Sequence, residues 1–483
     1  MKLIYDIFQK LKKQEIRQIR HQINHATFEY EKVGKLFELV TRYPQKEEAF
    51  YSQKLYGRAP DNTFRVTKSR LKRMLENSLL HDKSLTGYSS PAINARLQTR
   101  KKLLQGEILL GRGAYEASRN LLLQTISAAK KYDLQEEILQ AEMLLYRHTS
   151  ITSSVRDYQK QTQSLLHLNH QMVLINEALI LHLYITNLLL HKVIKRPELQ
   201  DVRTKIDRIA EISQETSHPR VLYVYYLSEN YYHQVTTEYS KAIEFCHKLL
   251  ELMSEAPSQH SQQRETAAYV QLAKVSIQTG DEPTARQYID LILERYSPKE
   301  INFLMGLELA FKLEFYREQY EAAQEIIDRA FLHPQFNSAG LISPKWHYFH
   351  SCLLFKREKF KEAYRALDYT TPLLADKFGH NITIRLLEIM ILYNLQHLDI
   401  METKILNIRQ FIKRTHQGEE IFRPLTLIKI LMKWYRHNYN FGETVIDSKV
   451  EFDALEDYHN LFPFDTSDFE LIRLEKWLLA HLT

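Results

Sequence analysis

Apolar residues recur along this chain at spacings of three and four, in runs of helical length that come in pairs separated by short polar turns. The second run of a pair opens with an aromatic residue followed three positions later by alanine. Copies of this small-residue position occur at Ala242, Ala285, Ala323 and Ala363, which lie 43, 38 and 40 residues apart. An earlier copy surrounds Tyr115, and weaker copies fit near positions 161, 203 and 402. The pattern predicts a repeated pair of helices with a period of about 40 residues.

The small residue has a packing role in such a pair. Two helices joined by a tight turn cross closely, so one of them needs a small side chain at the crossing. An aromatic residue three positions earlier lies on the same face and fills the gap towards the next pair. A single pair cannot bury both of its faces, whereas pairs stacked in series share a continuous core. The gaps between copies leave room for seven or eight pairs.

These residues resemble the tetratricopeptide repeat (TPR), a helical hairpin with fixed aromatic, small and terminal proline positions. The best match is 269–298, where six residues fall at the consensus spacing: Tyr269, Leu272, Ala273, Gly280, Ala285 and Pro298. The unit 307–334 departs by placing Phe311 where the consensus has a small residue, and the period exceeds the usual 34. The resemblance covers roughly residues 95–415. It implies an all-α fold, a right-handed α-solenoid of about seven or eight TPR-like hairpins.

The segments outside the solenoid predict two further parts. Residues 1–90 indicate a basic N-terminal helical domain, and residues 81–94 combine Ser, Gly and Pro as a linker does. Residues 416–483 predict a C-terminal helical cap. This cap contains an acidic and aromatic segment and ends in an amphipathic capping helix over 468–483. The predicted domains are therefore 1–90, 95–415 and 416–483.

Composition indicates a folded, helix-rich chain with no export signal. Of its 483 residues 44% are hydrophobic and 26% charged, with only 12 Gly and 13 Pro. Cys246 and Cys352 are too few and too far apart for a disulfide framework, so we expect buried free thiols. The most apolar stretch, 178–190, is shorter than the roughly 20 residues that span a bilayer. We therefore expect a cytoplasmic protein that does not cross a membrane.

Charge is distributed unevenly along the sequence. Residues 1–100 contain 20 Lys and Arg against 10 Asp and Glu, whereas residues 441–483 contain 10 acids and 3 bases. Such polarity can steer a charged partner or dock one end of a chain on a second copy, so the sequence is compatible with a homo-oligomer.

The TPR resemblance implies a concave groove lined by the first helix of each hairpin. The groove residues it implies are Tyr231, Gln271, Lys274, Lys312, Tyr348 and Lys356. Lys274 and Lys312 hold the same position in successive hairpins, which predicts a short ladder of positive charge for an acidic peptide or a terminal carboxylate. The alternative is an ordinary solvated helix face.

A second candidate surface is the basic run Phe64 to Leu80. Arg65, Lys68, Lys72 and Arg73 lie on neighbouring turns after a helix and a loop, as in a recognition helix that contacts nucleic acid or an acidic partner. The alternative is again a solvated basic face, because base-reading Asn and Gln are sparse near the helix start.

No pattern in the sequence predicts catalysis. Histidines occur in pairs at helical spacing, as at His347 and His350, without a third ligand nearby, so we expect no metal. No phosphate-cradling glycine loop or nucleophile motif occurs, so we expect no cofactor.

We therefore expect a non-enzymatic scaffold or adaptor that binds a protein or peptide partner, ahead of nucleic acid. The alternative is a regulator that acts through the basic N-terminal domain, a layout that resembles bacterial peptide-responsive regulators.

Overall fold

A computed structural model describes residues 1–11, 13–24, 31–80, 91–152, 154–191, 196–256, 258–337, 342–371, 380–415, 422–461 and 470–482. All regular structure in these ranges is helical, so the predicted all-α class is confirmed for them. The chain divides into two compact units, Met1–Met172 and Val173–Thr483. The predicted linker 81–94 lies largely outside the described residues.

The first unit begins with five helices around their own core. They are α1 (Lys2–Phe8), α2 (Lys13–Asn24), α3 (Glu31–Arg42), α4 (Glu48–Tyr56) and α5 (Asn62–Ser78). In α3 the buried residues Val33, Leu36, Phe37 and Val40 follow helical spacing, and they share a core with Phe64 and Leu71 of α5. Three further helices follow: α6 (Pro91–Gly111), α7 (Tyr115–Lys131) and α8 (Gln135–Thr152).

One long helix, α9 (Val155–His191), contains the boundary between the units. It replaces the weak repeat copy expected near position 161, because no turn interrupts its 37 residues. Within the described residues, 155–189 is the one helix long and apolar enough to cross a membrane by length and composition. One side of α9 packs in the protein instead, where Glu177 pairs with Arg208 at 2.8 Å and His182 hydrogen-bonds Ser228.

The second unit continues as a series of helices that pack on their neighbours in chain order. They are α10 (Arg196–Thr216), α11 (Pro219–Val235), α12 (Tyr239–Glu255), α13 (Gln262–Thr279), α14 (Glu282–Arg295), α15 (Phe303–Tyr316), α16 (Tyr320–Phe331), α17 (Ile342–Lys356), α18 (Phe360–Leu367), α19 (His380–Asn394), α20 (Leu398–Thr415), α21 (Phe422–Arg436), α22 (Phe441–Asp447), α23 (Lys449–Leu461) and α24 (Leu474–Ala480). The helix predicted over 468–483 is shorter than expected, and the segment 462–469 lies outside the described residues.

The helices pair into hairpins through one repeated turn. In eight pairs of successive helices among the described residues, a residue with positive φ follows the first helix, and the next N–H donates to a carbonyl five residues earlier at 2.9 to 3.0 Å. This is the Schellman motif. The positive-φ residues are Gly113, Asp133, Thr237, Gly280, Glu318, Glu358, Gln396 and Asn438, and the last six lie 38 to 43 residues apart. The repeat of about 40 residues is therefore a repeat of this turn.

The small residue of each second helix lies at the crossing with its first helix, as predicted. Ser118 Oγ donates to the Gly106 carbonyl at 2.7 Å, Asn230 Nδ2 to Ala242 at 2.8 Å, and Ser351 Oγ to Ala363 at 2.8 Å. Each pair is twelve residues apart, so the crossing has the same register in three hairpins.

Phe311 explains how one hairpin departs from the TPR consensus. It lies twelve residues before Ala323, at the crossing position, and is fully buried. Its ring stacks on Phe349 of the next first helix, with centroids 5.2 Å apart, and meets the edge of Trp346. The large ring is accommodated because it packs towards the neighbouring hairpin as well as across its own.

Candidate functional site: a polar ladder on the first helices

Polar side chains link four successive first helices in the second unit. We call this face the polar ladder and define it by Asn230 and Gln234 of α11, Gln271 and Lys274 of α13, Glu308 and Lys312 of α15, and Lys345 of α17. Residues three or four apart on a helix share a face, and the hairpin repeat places these faces side by side.

The amide end of the ladder is a chain of hydrogen bonds between two hairpins. Gln234 Nε2 donates to Asn230 Oδ1 at 2.7 Å and to Gln271 Oε1 of the next first helix at 3.0 Å. Asn230 in turn donates to the Ala242 carbonyl and lies 2.9 Å from Cys246 Sγ. Asn230 and Gln234 are buried, so their amides need these partners.

The charged end of the ladder is centred on Glu308. Its carboxylate lies 3.2 Å from Lys312 Nζ on the same helix and 2.7 Å from Lys345 Nζ on the next first helix. We call Lys274, Glu308, Lys312 and Lys345 the lysine cluster. Burial by itself raises the pKa of Glu308, but Lys345, Lys312 and Lys274 outweigh it and lower this pKa to about 2. The three lysines together therefore favour the charged form of this carboxylate.

The buried ring of Phe349 lies close to two of the ammonium groups. Lys312 Nζ and Lys345 Nζ lie 6.0 and 5.7 Å from the centroid of Phe349, which has no exposed surface. Lys312 is itself nearly buried, whereas the side chains of Glu308 and Lys345 are 20% and 32% exposed. The cluster thus has the Phe349 ring on its buried side and is open to solvent on another side.

The structure separates the six predicted groove residues. Gln271, Lys274 and Lys312 belong to the polar ladder. Tyr231 is largely buried beside Tyr223 and Cys246, where burial raises its pKa to about 12.

Tyr348 and Lys356 also lie away from the ladder. Tyr348 is completely buried in the core beside Cys352, so its side chain lines no groove, because its helix turns it inward. Lys356 is exposed at the end of α17, three turns from Lys345. A peptide-binding role for the six remains a prediction.

Four ladder residues were missed by sequence reasoning: Asn230, Gln234, Glu308 and Lys345. Glu308 and Lys312 are four apart, a spacing that signals an ion pair on one helix face. Lys345 carries no such signal, because its partner Glu308 is 37 residues away and only the stacking of hairpins brings them together.

The basic N-terminal candidates lie on α5 in the first unit. Lys68 Nζ is 2.8 Å from Glu48, and Lys72 Nζ is 3.3 Å from Glu76. Arg65 and Arg73 are exposed. Two of the four cations are thus paired within the unit, as on a solvated basic face, and a contact with nucleic acid stays a prediction.

The cysteines and the paired histidines lie in packed surroundings. Both cysteines are buried free thiols, as predicted, and burial raises the pKa of Cys246 to about 12. His347 stacks on Tyr369 at 4.5 Å, and His350 meets Phe331 edge-on. Within the described ranges, no three His, Cys, Asp or Glu side chains are grouped so as to hold a metal ion.

The repeated hairpins and the ladder define an all-α helical-repeat protein. No protein-family model matches the chain, and no curated protein matches its sequence. Among solved structures, the chain is similar to the crystal structure of the apo form of RapI. The TM-score is 0.43 with 12% identity, over 80% of this chain and 98% of that one. The number of hairpins, the handedness of the solenoid and the TPR assignment stay predictions.

Proposed function

We propose that this protein is a non-enzymatic interaction scaffold whose polar ladder holds a peptide or helix of a protein partner. The observation that supports this role is the continuity of the ladder across α11, α13, α15 and α17. Stacked hairpins need apolar contacts to bury their faces, and polar groups placed among those contacts cost free energy unless they are paired. Gln271, Lys274, Glu308 and Lys345 are partly exposed on this ladder, so their side chains offer donors and acceptors to a ligand backbone.

The size of the ladder suits a short peptide. Neighbouring packed helices lie about 10 Å apart, so four first helices extend over roughly 30 Å. An extended peptide covers this distance with about nine residues. The proposed partner is a segment of a cytoplasmic protein, and recognition needs no cofactor.

Site-specific photo-crosslinking tests the location of the partner. Gln271 is replaced by the photoreactive p-benzoylphenylalanine, and the matched control carries the same group at Leu332, which is 83% exposed at the end of a second helix. We expect irradiation in cells to yield a defined crosslinked protein from position 271 and not from position 332. The same crosslinks from both positions, or crosslinks from position 332 alone, would refute the ladder as the binding face.

A further inference from the structure

The lysine cluster differs from the rest of the polar ladder because its four side chains are charged, whereas the others are amides. Lys274, Lys312 and Lys345 come from three successive first helices, and the described contacts place the Glu308 carboxylate between two of them. Their combined effect on Glu308 exceeds the cost of burial, so the site favours a carboxylate over a neutral group.

The geometry around Glu308 is that of a carboxylate-binding site already holding a carboxylate. Lys345 Nζ donates to the carboxylate from the next hairpin at 2.7 Å, the distance of a charge-assisted hydrogen bond, and Lys312 Nζ forms an ion pair with it at 3.2 Å. The buried Phe349 ring lies 6.0 Å from the ammonium group of Lys312 and 5.7 Å from that of Lys345. The exposed fractions of Glu308 and Lys345 leave one side of the site open for a second anion to approach.

We propose that the lysine cluster binds a carboxylate of the partner and that Glu308 occupies this site in the free protein. The incoming carboxylate bonds the same ammonium groups, and Glu308 turns towards solvent as it binds. The carboxylate belongs either to an Asp or Glu side chain or to a chain terminus, since both present the same planar pair of oxygens. This inference names the ligand chemistry of the proposed peptide site, but its test needs no natural partner.

Chemical rescue of Glu308→Ala in the full chain provides the first test. The substitution leaves a carboxylate-sized gap between Lys312 and Lys345, and acetate is the probe that fits it. Thermal unfolding is followed by circular dichroism in sodium acetate and in sodium chloride of equal concentration and pH. We expect acetate to raise the midpoint of Glu308→Ala by about 2 °C or more over chloride, because a ligand of the folded state stabilises it.

Two further variants locate the effect. Glu321→Ala removes an exposed glutamate of α16 that lies 3.5 Å from Arg357, and acetate should act on it no more than chloride does. Adding Lys345→Met to Glu308→Ala should abolish the rescue. Equal midpoints of Glu308→Ala in acetate and chloride, or a rescue that survives Lys345→Met, would overturn the carboxylate site and leave the scaffold proposal standing.

The natural chain supplies a second measurement should Glu308→Ala not fold. Acylation of Lys345 by the N-hydroxysuccinimide ester of acetic acid is timed by mass spectrometry, with exposed Lys361 as the internal control. The probes are acetyl-Ala-Glu-Ala-amide, acetyl-Ala-Ala-Ala with a free carboxylate, and neutral acetyl-Ala-Gln-Ala-amide. We expect a carboxylate peptide to slow acylation of Lys345 several-fold and to leave Lys361 unchanged. The more protective of the two peptides identifies the source of the carboxylate, and equal rates with all three refute the site.

Discussion

Two ion clusters in the second unit differ in their numbers of cations and carboxylates. The lysine cluster surrounds one carboxylate, Glu308, with three ammonium groups, and it is partly open to solvent. The second cluster surrounds one guanidinium, Arg423 of α21, with two carboxylates. Arg423 donates to Glu470 at 2.7 Å and to Glu475 at 2.9 Å, and all three residues are buried.

The two clusters differ in whether a ligand from solvent can reach them and replace one of their charged groups. The Arg423 pairs tie α21 to Glu470 and α24, and in the described part of the chain the three side chains are only 3 to 11% exposed. Burial raises the pKa of Glu470, although Arg423 opposes this rise. The lysine cluster, in contrast, keeps an open side. A closed ion group holds helices together, whereas an open one suits reversible binding.

The largest effect is expected at Arg423. Arg423→Met leaves two carboxylates buried without their cation, which destabilises proteins by about 3–5 kcal/mol. The thermal midpoint measured by circular dichroism should fall accordingly. The exposed neighbour Arg436→Met is the matched control and should change stability by less than about 0.5 kcal/mol. Equal midpoints for the two variants would contradict a structural role for the Arg423 cluster.

A smaller and pH-dependent effect is expected at Glu308. Its pKa of about 2 lies below the ordinary value of 4.5, so the charged carboxylate stabilises the folded state by roughly 3 kcal/mol at most. This contribution is present above pH 4.5 and is lost as the pH falls from 4.5 towards 2.

Glu308→Gln isolates that contribution. The variant should unfold at a lower midpoint than the natural chain at pH 7, and the gap should shrink below pH 4.5, where the carboxylate of the unfolded natural chain takes up a proton and that of the folded chain does not. Midpoints at pH 7, 5, 4 and 3 measure the gap. A gap of constant size down to pH 3 would show that Glu308 does not contribute through its charge.

The smallest effect on stability is expected at Lys345. Lys345→Met removes an ammonium group from the open side, and Lys312 still pairs with Glu308, so the loss should be smaller than that of Glu308→Gln at pH 7. Lys361→Met, on the exposed face of α18, is the matched control. A loss as large as that of Arg423→Met would mean that the lysine cluster is a structural ion group like the Arg423 cluster.

Much of the fold was predictable because its signal is local in sequence. Helical spacing of apolar residues and a small residue every 40 positions follow from the packing of two adjacent helices. Gly113 and Gly280 mark their turns, since glycine adopts positive φ at little cost. Thr237, Glu318, Glu358 and Gln396 adopt the same conformation without that mark, because the packing of the hairpins imposes it.

By itself, then, the sequence determined the helical class, the period and the crossing residues of the hairpins. Only the tertiary structure decided which polar residues meet. Lys345 and Glu308 belong to different hairpins, and the stacking of Phe311 on Phe349 sets the register between them. Tyr348 was assigned to the groove from its position in the hairpin and is instead part of the core. Contacts within a hairpin depend on spacing along the chain, whereas contacts between hairpins depend on how large side chains interlock.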